Sequence, residues 1–238
     1  MMQNTIHVNQ TTGQTSRWFI FSSQNEINRA AVNKILEAAK KAIEESGSFI
    51  IVLAGGSTPK SIYEMLSSEK SDWSNWHVYH NDDRCLPIDH PERNSLMARQ
   101  AWLSHVAIPE SQIHDIPAEL GNIMGAKTYS DVLQGVRTFD LVLLGLGEDG
   151  HTASLFPDQA IDNSNLAVPV FDAPKPPAER VTMSLNRLND THAALFLVTG
   201  AGKQNAVNDW INNKCIPASL ISPRNGVDVY CFGVTIQN

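Results

Sequence analysis

Phe49-Ile-Ile-Val-Leu-Ala-Gly-Gly-Ser-Thr-Pro59 (FIIVLAGGSTP) is the stretch that decides the fold. Six apolar residues, Phe49 to Ala54, run without a polar break, as in a strand covered on both faces. Gly55 and Gly56 then let the backbone turn sharply. Thr58 is expected at the helix cap and Pro59 at the first helical position, with the helix reaching about Leu66. Upstream, Ser23 with Glu26 three residues later reads as a capping box. Ile27, Ala31, Ile35, Ala38 and Ala42 recur at helical spacing, and Gly47 suits the stop. Trp18–Ser22 reads as a first strand. Downstream, Trp76–His80 (WHVYH), Phe139–Leu144 (FDLVLL), Val181–Ser184, Ala193–Val198 and Val227–Val234 read as further strands. Helices are expected from Asn94 through Trp102, over Ala118–Val136 and over Lys203–Trp210, and the proline-rich Val168–Pro177 as a loop. Strands alternating with helices make βαβ units, so an α/β fold with a mostly parallel sheet is expected.

Composition narrows the function. The chain has 238 residues, of which 42% are hydrophobic and 18% charged, a globular balance. Lys and Arg number 18 against 25 Asp and Glu, a net charge of −7. Such a surface repels nucleic acid and anionic membrane, so neither is expected as a partner. Cys85, Cys215 and Cys231 are scattered and odd in number. They fit a reducing cytoplasm better than a disulfide framework or a zinc site. No internal repeat or linker is visible, so residues 1–238 are expected to form one domain. Residues 1–16 are expected as a flexible or weakly ordered lead, without the apolar core of a signal peptide.

Three segments carry chemistry. Gly55-Gly56-Ser57-Thr58 aims backbone N–H groups and a helix N-terminus at one point, an anion site matched to phosphate. The residues alone also allow a plain strand-to-helix turn. Asn81-Asp82-Asp83-Arg84 follows a strand, where open α/β sheets bind ligands; alone it reads equally as a solvated charged loop. His77 and His80 lie three apart on one strand and face opposite sides, so no metal is expected there. The third segment is Gly145-Leu-Gly147-Glu-Asp149-Gly150-His151-Thr-Ala-Ser-Leu-Phe-Pro157. Gly145, Gly147 and Gly150 match the dinucleotide fingerprint, and Asp172 even lies at about the distance of its ribose-binding acid, roughly 20 residues on. The fingerprint needs a long helix directly afterwards, and Pro157 cuts that short. A turn presenting Asp149 and His151 for proton transfer is the better reading. Arg84, Arg180 and Lys203 are candidates for the positive charge that a phosphorylated ligand needs on an acidic protein.

Together, LAGGSTP (53–59), DDR (82–84), RN (93–94), FDLVLLGLGEDGHTASLFP (139–157), PKPPAERVTMSLNRLN (174–189) and LFLVTGAGK (195–203) resemble the 6-phosphogluconolactonase family. GEDGHTASLFP is the most specific of these; GGSTP is shared with the glucosamine-6-phosphate deaminases, which with ribose-5-phosphate isomerases form the wider group. The resemblance implies a single Rossmann-like domain with helices flanking a mostly parallel sheet. It implies hydrolysis of 6-phospho-D-glucono-1,5-lactone to 6-phosphogluconate in the oxidative pentose phosphate pathway, with no metal and no organic cofactor. His151 would be the general base with Asp149 beside it. Gly55, Gly56, Ser57, Thr58, Arg84, Arg180 and Lys203 would line the substrate and phosphate site, with Asp82, Asn94 and Thr182 as further candidates. Two departures stand out. The family often has Asp-Glu-Arg where this chain has Asp82-Asp83-Arg84, and Ser where it has Arg93, an extra cation that is a candidate phosphate ligand. A deaminase or sugar-phosphate isomerase on the same fold is the alternative. It would need a further carboxylate after the histidine, and none occurs before Asp158. A non-catalytic sugar-phosphate-binding protein would have no need of the Asp149/His151 pair. The sugar-phosphate lactone is the expected partner, and monomer and small homo-oligomer both stay open.

Overall fold

The computed structural model describes residues 3–236. Its elements are β1 (Gln3–Val8), β2 (Thr15–Ile20), α1 (Gln24–Ser46), β3 (Phe49–Leu53), α2 (Ser57–Leu66), β4 (Trp76–His80), β5 (Asp82–Arg84), α3 (Asn94–Ala101), β6 (Ile113–His114), α4 (Asn122–Leu133), β7 (Leu141–Gly145), β8 (Ala167–Val170), β9 (Arg180–Met183), α5 (Leu185–Asn189), β10 (Ala194–Thr199), α6 (Gln204–Ile211) and β11 (Val227–Phe232). The main sheet runs β1-β2-β11-β10-β7-β3-β4-β6. Every neighbouring pair in it is parallel except β1 with β2. A small antiparallel sheet, β5-β9-β8, stands beside it. This is the mostly parallel α/β architecture expected from the strand and helix alternation.

The period of two along β3 explains the layers. Phe49, Ile51 and Leu53 pack on one side with Ile27, Ile35, Ile62 and Trp102, from α1, α2 and the end of α3. Ile50 and Val52 pack on the other with Tyr129 of α4, Val207 and Trp210 of α6 and Val181 of the small sheet. All five β3 residues are buried, which is why the strand carries no polar position. Helix α1 starts where the sequence places it: the Ser23 hydroxyl accepts from the Glu26 N–H, and Gly47 ends it in the left-handed region at φ 80°.

Four expectations need correction. Within the lead over 1–16, of which residues 1 and 2 lie outside the described residues, β1 pairs with the whole of β2 in a ribbon that extends the sheet edge. β2 begins at Thr15, not Trp18, because its polar residues find partners: the Trp18 indole N–H donates to Ser16 Oγ, and Arg17 pairs with Asp228 of β11. Polar groups satisfied this way hide a strand from hydrophobic patterning. β5 falls on Asn81–Arg84, which alone read equally as a charged loop, and β8 overlaps the proline-rich 168–177. Pro169 is tolerated because β8 is the edge of its sheet. The expected 118–136 helix begins only at Asn122, since Gly121 turns at φ 82°.

A histidine pair on the β4–β6 edge gives the fold a pH dependence. The His114 ring stacks on Tyr79 at 4.4 Å and lies 6.3 Å from the ring of His77. Burial lowers both imidazoles below their usual range; Arg137 adds to this at His77, and His77 at His114. Folding therefore favours the neutral rings, and their contribution is intact above the unfolded-state value of about 6.5 and lost as pH falls below it. Urea unfolding at pH 7.5 and at pH 5.5 should show lower stability at the acid value, and His77→Asn/His114→Asn should flatten that difference. An unchanged difference in the double variant would place the titration elsewhere.

Candidate functional site

β3 and β7 lie side by side and parallel, and the chain leaves them in opposite directions, β3 toward β4 and β7 toward β10. That is a switch point, where the crevice at the carboxyl ends of open α/β sheets forms. A cleft of about 420 Å³ opens there. Gly55, Gly56, Ser57, Thr58, Asp82, Arg84, Asn94, Asp149, His151, Arg180 and Lys203 all line it, although they lie up to about 150 positions apart. Thr182 does not. It is buried in β9, where its hydroxyl accepts from the Ser154 N–H, so it supports the wall from behind.

The loop after β3 is built by close approach. Asn94 packs flush against Gly55, so that any Cβ there would overlap the Asn94 amide. The same amide donates to both the backbone and the side-chain oxygen of Asp82, at 3.1 and 3.0 Å, tying two segments of the cleft together. Tyr63 of α2 clamps the loop from inside, exchanging two hydrogen bonds with the backbone of Ala54. The helix begins two residues earlier than expected. Gly56, at φ 109°, is its cap, Ser57 opens it and Pro59 is third. Proline still costs nothing there, since the first-turn N–H groups have no partner in the helix. Thr58 shares a 2.6 Å hydrogen bond with Thr199 at the end of β10, a residue the sequence analysis missed.

The two carboxylates of β5 point in opposite directions and do different work. Asp83 is buried and accepts from the N–H groups of Arg84, Asn94 and Ser95, from the Ser95 hydroxyl and from Arg93 Nε at 2.9 Å. Arg93 is therefore not a phosphate ligand. Its side chain is 1% exposed, and it also donates to Glu119 and to the carbonyls of Leu86 and Ile116. Arg93 and Asp83 thus fix the start of α3 against β5. Asp82 faces the cleft and accepts from Ser154 Oγ at 2.5 Å. Burial pushes its carboxyl above the usual range, while Ser154, Arg180 and Arg84 pull it back.

Asp149 and His151 sit on a tight turn after β7. The turn closes on itself: Gly147 N–H donates to His151 O at 2.7 Å and Gly150 N–H to Gly147 O at 3.1 Å. His151 Nδ1 lies 2.5 Å from Asp149 Oδ1, and the His151 N–H donates to the same oxygen. Gly147 is a glycine because a Cβ there would fall inside the His151 ring. Burial alone would raise the Asp149 carboxyl, but the His151 backbone N–H, charge and ring hold it below the usual range. An ionised Asp149 can only accept, so in the neutral form of the imidazole Nδ1 carries the shared proton and Nε2 the lone pair. No α-helix occurs between Gly145 and Leu185 among the described residues, so the glycine spacing is no dinucleotide fingerprint. Phe156, which the sequence analysis did not single out, packs its ring 4.8 Å from that of His151 and 5.6 Å from the Arg180 guanidinium.

The cations divide into two sets. Arg84 and Arg180 flank Asp82; Arg180 is anchored through Nε and Nη2 to the carbonyls of Pro177 and Lys175, and Arg84 through Nη1 to that of Glu92. Lys203 lines the same cleft as the α2 start and makes no ion pair among the described residues. Lys175, also missed, meets Glu148 at 3.8 Å on the exposed rim. Burial, helped by Glu179, pushes the Cys85 thiol up to about 11, which disfavours the reactive thiolate.

Known proteins resemble the chain in sequence and in fold. The sequence model described as glucosamine-6-phosphate isomerases/6-phosphogluconolactonase matches residues 22–230. The chain is 38% identical over 219 residues to a 6-phosphogluconolactonase of Synechocystis, covering 86% of this chain and 90% of that protein. It is 34% identical over 204 residues to one of Mycobacterium tuberculosis, covering 79% and 83%. Its structure superposes on the crystal structure of a 6-phosphogluconolactonase from Thermotoga maritima with a TM-score of 0.85 at 27% identity, covering 92% and 99%.

The assignment of Arg93 is directly testable. Arg93→Ala leaves the buried Asp83 carboxylate unpaired and should cost about 3–5 kcal/mol in urea unfolding. A loss below about 1 kcal/mol, the range of exposed pairs, would return Arg93 to the ligand-binding cations.

Proposed function

This chain belongs to the glucosamine-6-phosphate isomerase/6-phosphogluconolactonase family, and we propose that within it His151 is the general base of a lactone hydrolysis. The protein is a 6-phosphogluconolactonase, an enzyme that hydrolyses 6-phosphogluconolactone to 6-phosphogluconate in the pentose phosphate pathway. The observation that carries the mechanism is the 2.5 Å contact of His151 Nδ1 with an ionised Asp149, which leaves Nε2 to take a proton inside the cleft.

The chemistry follows from the residues. The substrate phosphate binds at the N-terminus of α2, where the Gly56–Thr58 backbone and Lys203 offer N–H groups and a positive charge. That handle orients the ring so that C1 faces His151. Asp82, with Asn94 and Ser154 already donating to it, takes a further hydrogen bond from a sugar hydroxyl. His151 Nε2 removes a proton from a water molecule as its oxygen attacks C1, and the carbonyl electrons move onto oxygen. The resulting oxyanion needs donors. The Gly147, Gly150 and His151 N–H groups are spent inside their own turn, so Arg84 and Arg180 are the groups that meet it. Collapse breaks the bond from C1 to the ring oxygen, and the protonated His151 returns its proton to the departing alkoxide. The water is consumed; one of its protons ends on the new hydroxyl, and the other leaves the new carboxyl group for solvent, giving the carboxylate. No step calls for a metal or an organic cofactor, and the lactone is the only partner this reading needs. Three free cysteines suit a reducing compartment, which supports the cytoplasm as the site of action.

His151→Ala should lower kcat by about 10²–10⁴-fold with KM changed little, the usual range for a lost general base. A variant with near-wild-type kcat would remove His151 from the mechanism. Lys203→Ala should instead raise KM by about tenfold or more at nearly constant kcat, as loss of a charge-assisted contact requires. An unchanged KM would assign Lys203 to structure and move the phosphate elsewhere in the cleft.

A further inference from the structure

The turn that carries His151 is held from behind by the 216–221 segment, which is itself held by a residue ahead of the matched family region. Gly150 O accepts from Ala218 N–H at 3.2 Å. Ile216 lies flush on the Gly150 Cα, where an added Cβ would come within 2.9 Å of it. The 216–221 turn therefore fixes the peptide immediately before His151. That turn is fixed in its own right by Gln14, a fully buried amide on the loop joining β1 to β2. Gln14 Nε2 donates to Ala218 O at 2.9 Å and to Ile221 O at 2.5 Å, while Gln14 Oε1 accepts from Trp210 Nε1 at 2.6 Å. Both amide hydrogens and the amide oxygen are thus committed. Asn9, equally buried, closes the same loop: its Oδ1 accepts from the Thr11 and Thr12 N–H groups and its Nδ2 donates to Trp210 O. A buried amide with every group satisfied is a costly thing to place and a rigid one once placed. Gln14 lies before residue 22, where the family match begins.

We propose that Gln14 is a positioning residue for His151, acting through the Ala218 and Gly150 backbone, and that the N-terminal hairpin loop of this chain is thereby part of its catalytic support. This rests on the reading of His151 as the base. The relay has no direct contact with the cleft: Gln14, Trp210 and Ala218 do not line it. Its loss should therefore leave substrate binding alone and act on turnover, because a small misplacement of the base costs rate far more than affinity.

The test compares wild type, Gln14→Met, His151→Ala and the double variant for kcat, KM and thermal midpoint, assayed well below the lowest midpoint. Met keeps the length and apolar bulk of Gln14 but offers no amide. The expected result is a fall in kcat of about 10-fold to 100-fold with KM within twofold, and a loss of no more than about twofold when the same change is made on His151→Ala. Gln14→Met that lowers the midpoint yet keeps kcat within twofold would make Gln14 a structural residue only. An equal loss of kcat on both backgrounds would show that it acts on something other than His151. If His151→Ala alone retains turnover, the base assignment fails and this proposal with it; if His151→Ala loses turnover while Gln14→Met does not, only this proposal fails. Should Gln14→Met not fold, Gln14→Asn, which keeps an amide one methylene too short to span both carbonyls, carries the same comparison.

Discussion

The cleft depends on one constraint: β3 and β7 lie adjacent and parallel while the chain departs from them to opposite sides. Two glycine-bearing loops must then leave the same sheet edge together. One ends in the start of α2, with its unpaired N–H groups, and the other presents Asp149 and His151. The start of α2 and the Asp149–His151 pair are thus set side by side by topology, though nearly a hundred residues separate them. The buried ion pair of Asp83 and Arg93 adds the third wall by fixing α3 against β5, which brings Asn94 and Asp82 over the Gly55 loop.

Close approach is the second theme. Gly55 yields space to Asn94, Gly147 to the His151 ring and Gly150 to Ile216. In each case the glycine lets a side chain from elsewhere reach the backbone, so packing and not loop flexibility sets the catalytic geometry. The Asp149 carboxylate then fixes the imidazole through a hydrogen bond between residues only two apart, which a tight turn alone permits.

Much of this was legible in the sequence, and the reasons are local. An unbroken apolar run marks a buried strand, as in Phe49–Leu53, and a glycine pair after it marks a backbone that must approach something. Asp149 and His151 stood out because they follow such a strand within a glycine turn. Arg93 misled because a cation next to a binding motif looks the same whether it faces ligand or core; only the three-dimensional position of Asp83 decides. Short strands β5 and β8 escaped because each is held by a neighbour distant in sequence and not by its own pattern. Thr58 and the further candidate Thr182 also part: Thr58 lines the cleft from the first turn of α2, while Thr182 is buried in β9 and supports the wall. Phe156 and Lys175 gave no signal beyond their presence near prolines.

The central claim is that Asp149 holds His151 with its proton on Nδ1 and its Nε2 free. Side-chain ¹⁵N NMR of the uniformly labelled enzyme at mildly alkaline pH, with the His151 signals identified by their loss in His151→Ala, reads this directly. The account predicts a neutral imidazole protonated at Nδ1 with a bare Nε2. A neutral His151 protonated at Nε2 would contradict it, since no lone pair would then be available to take the proton from water.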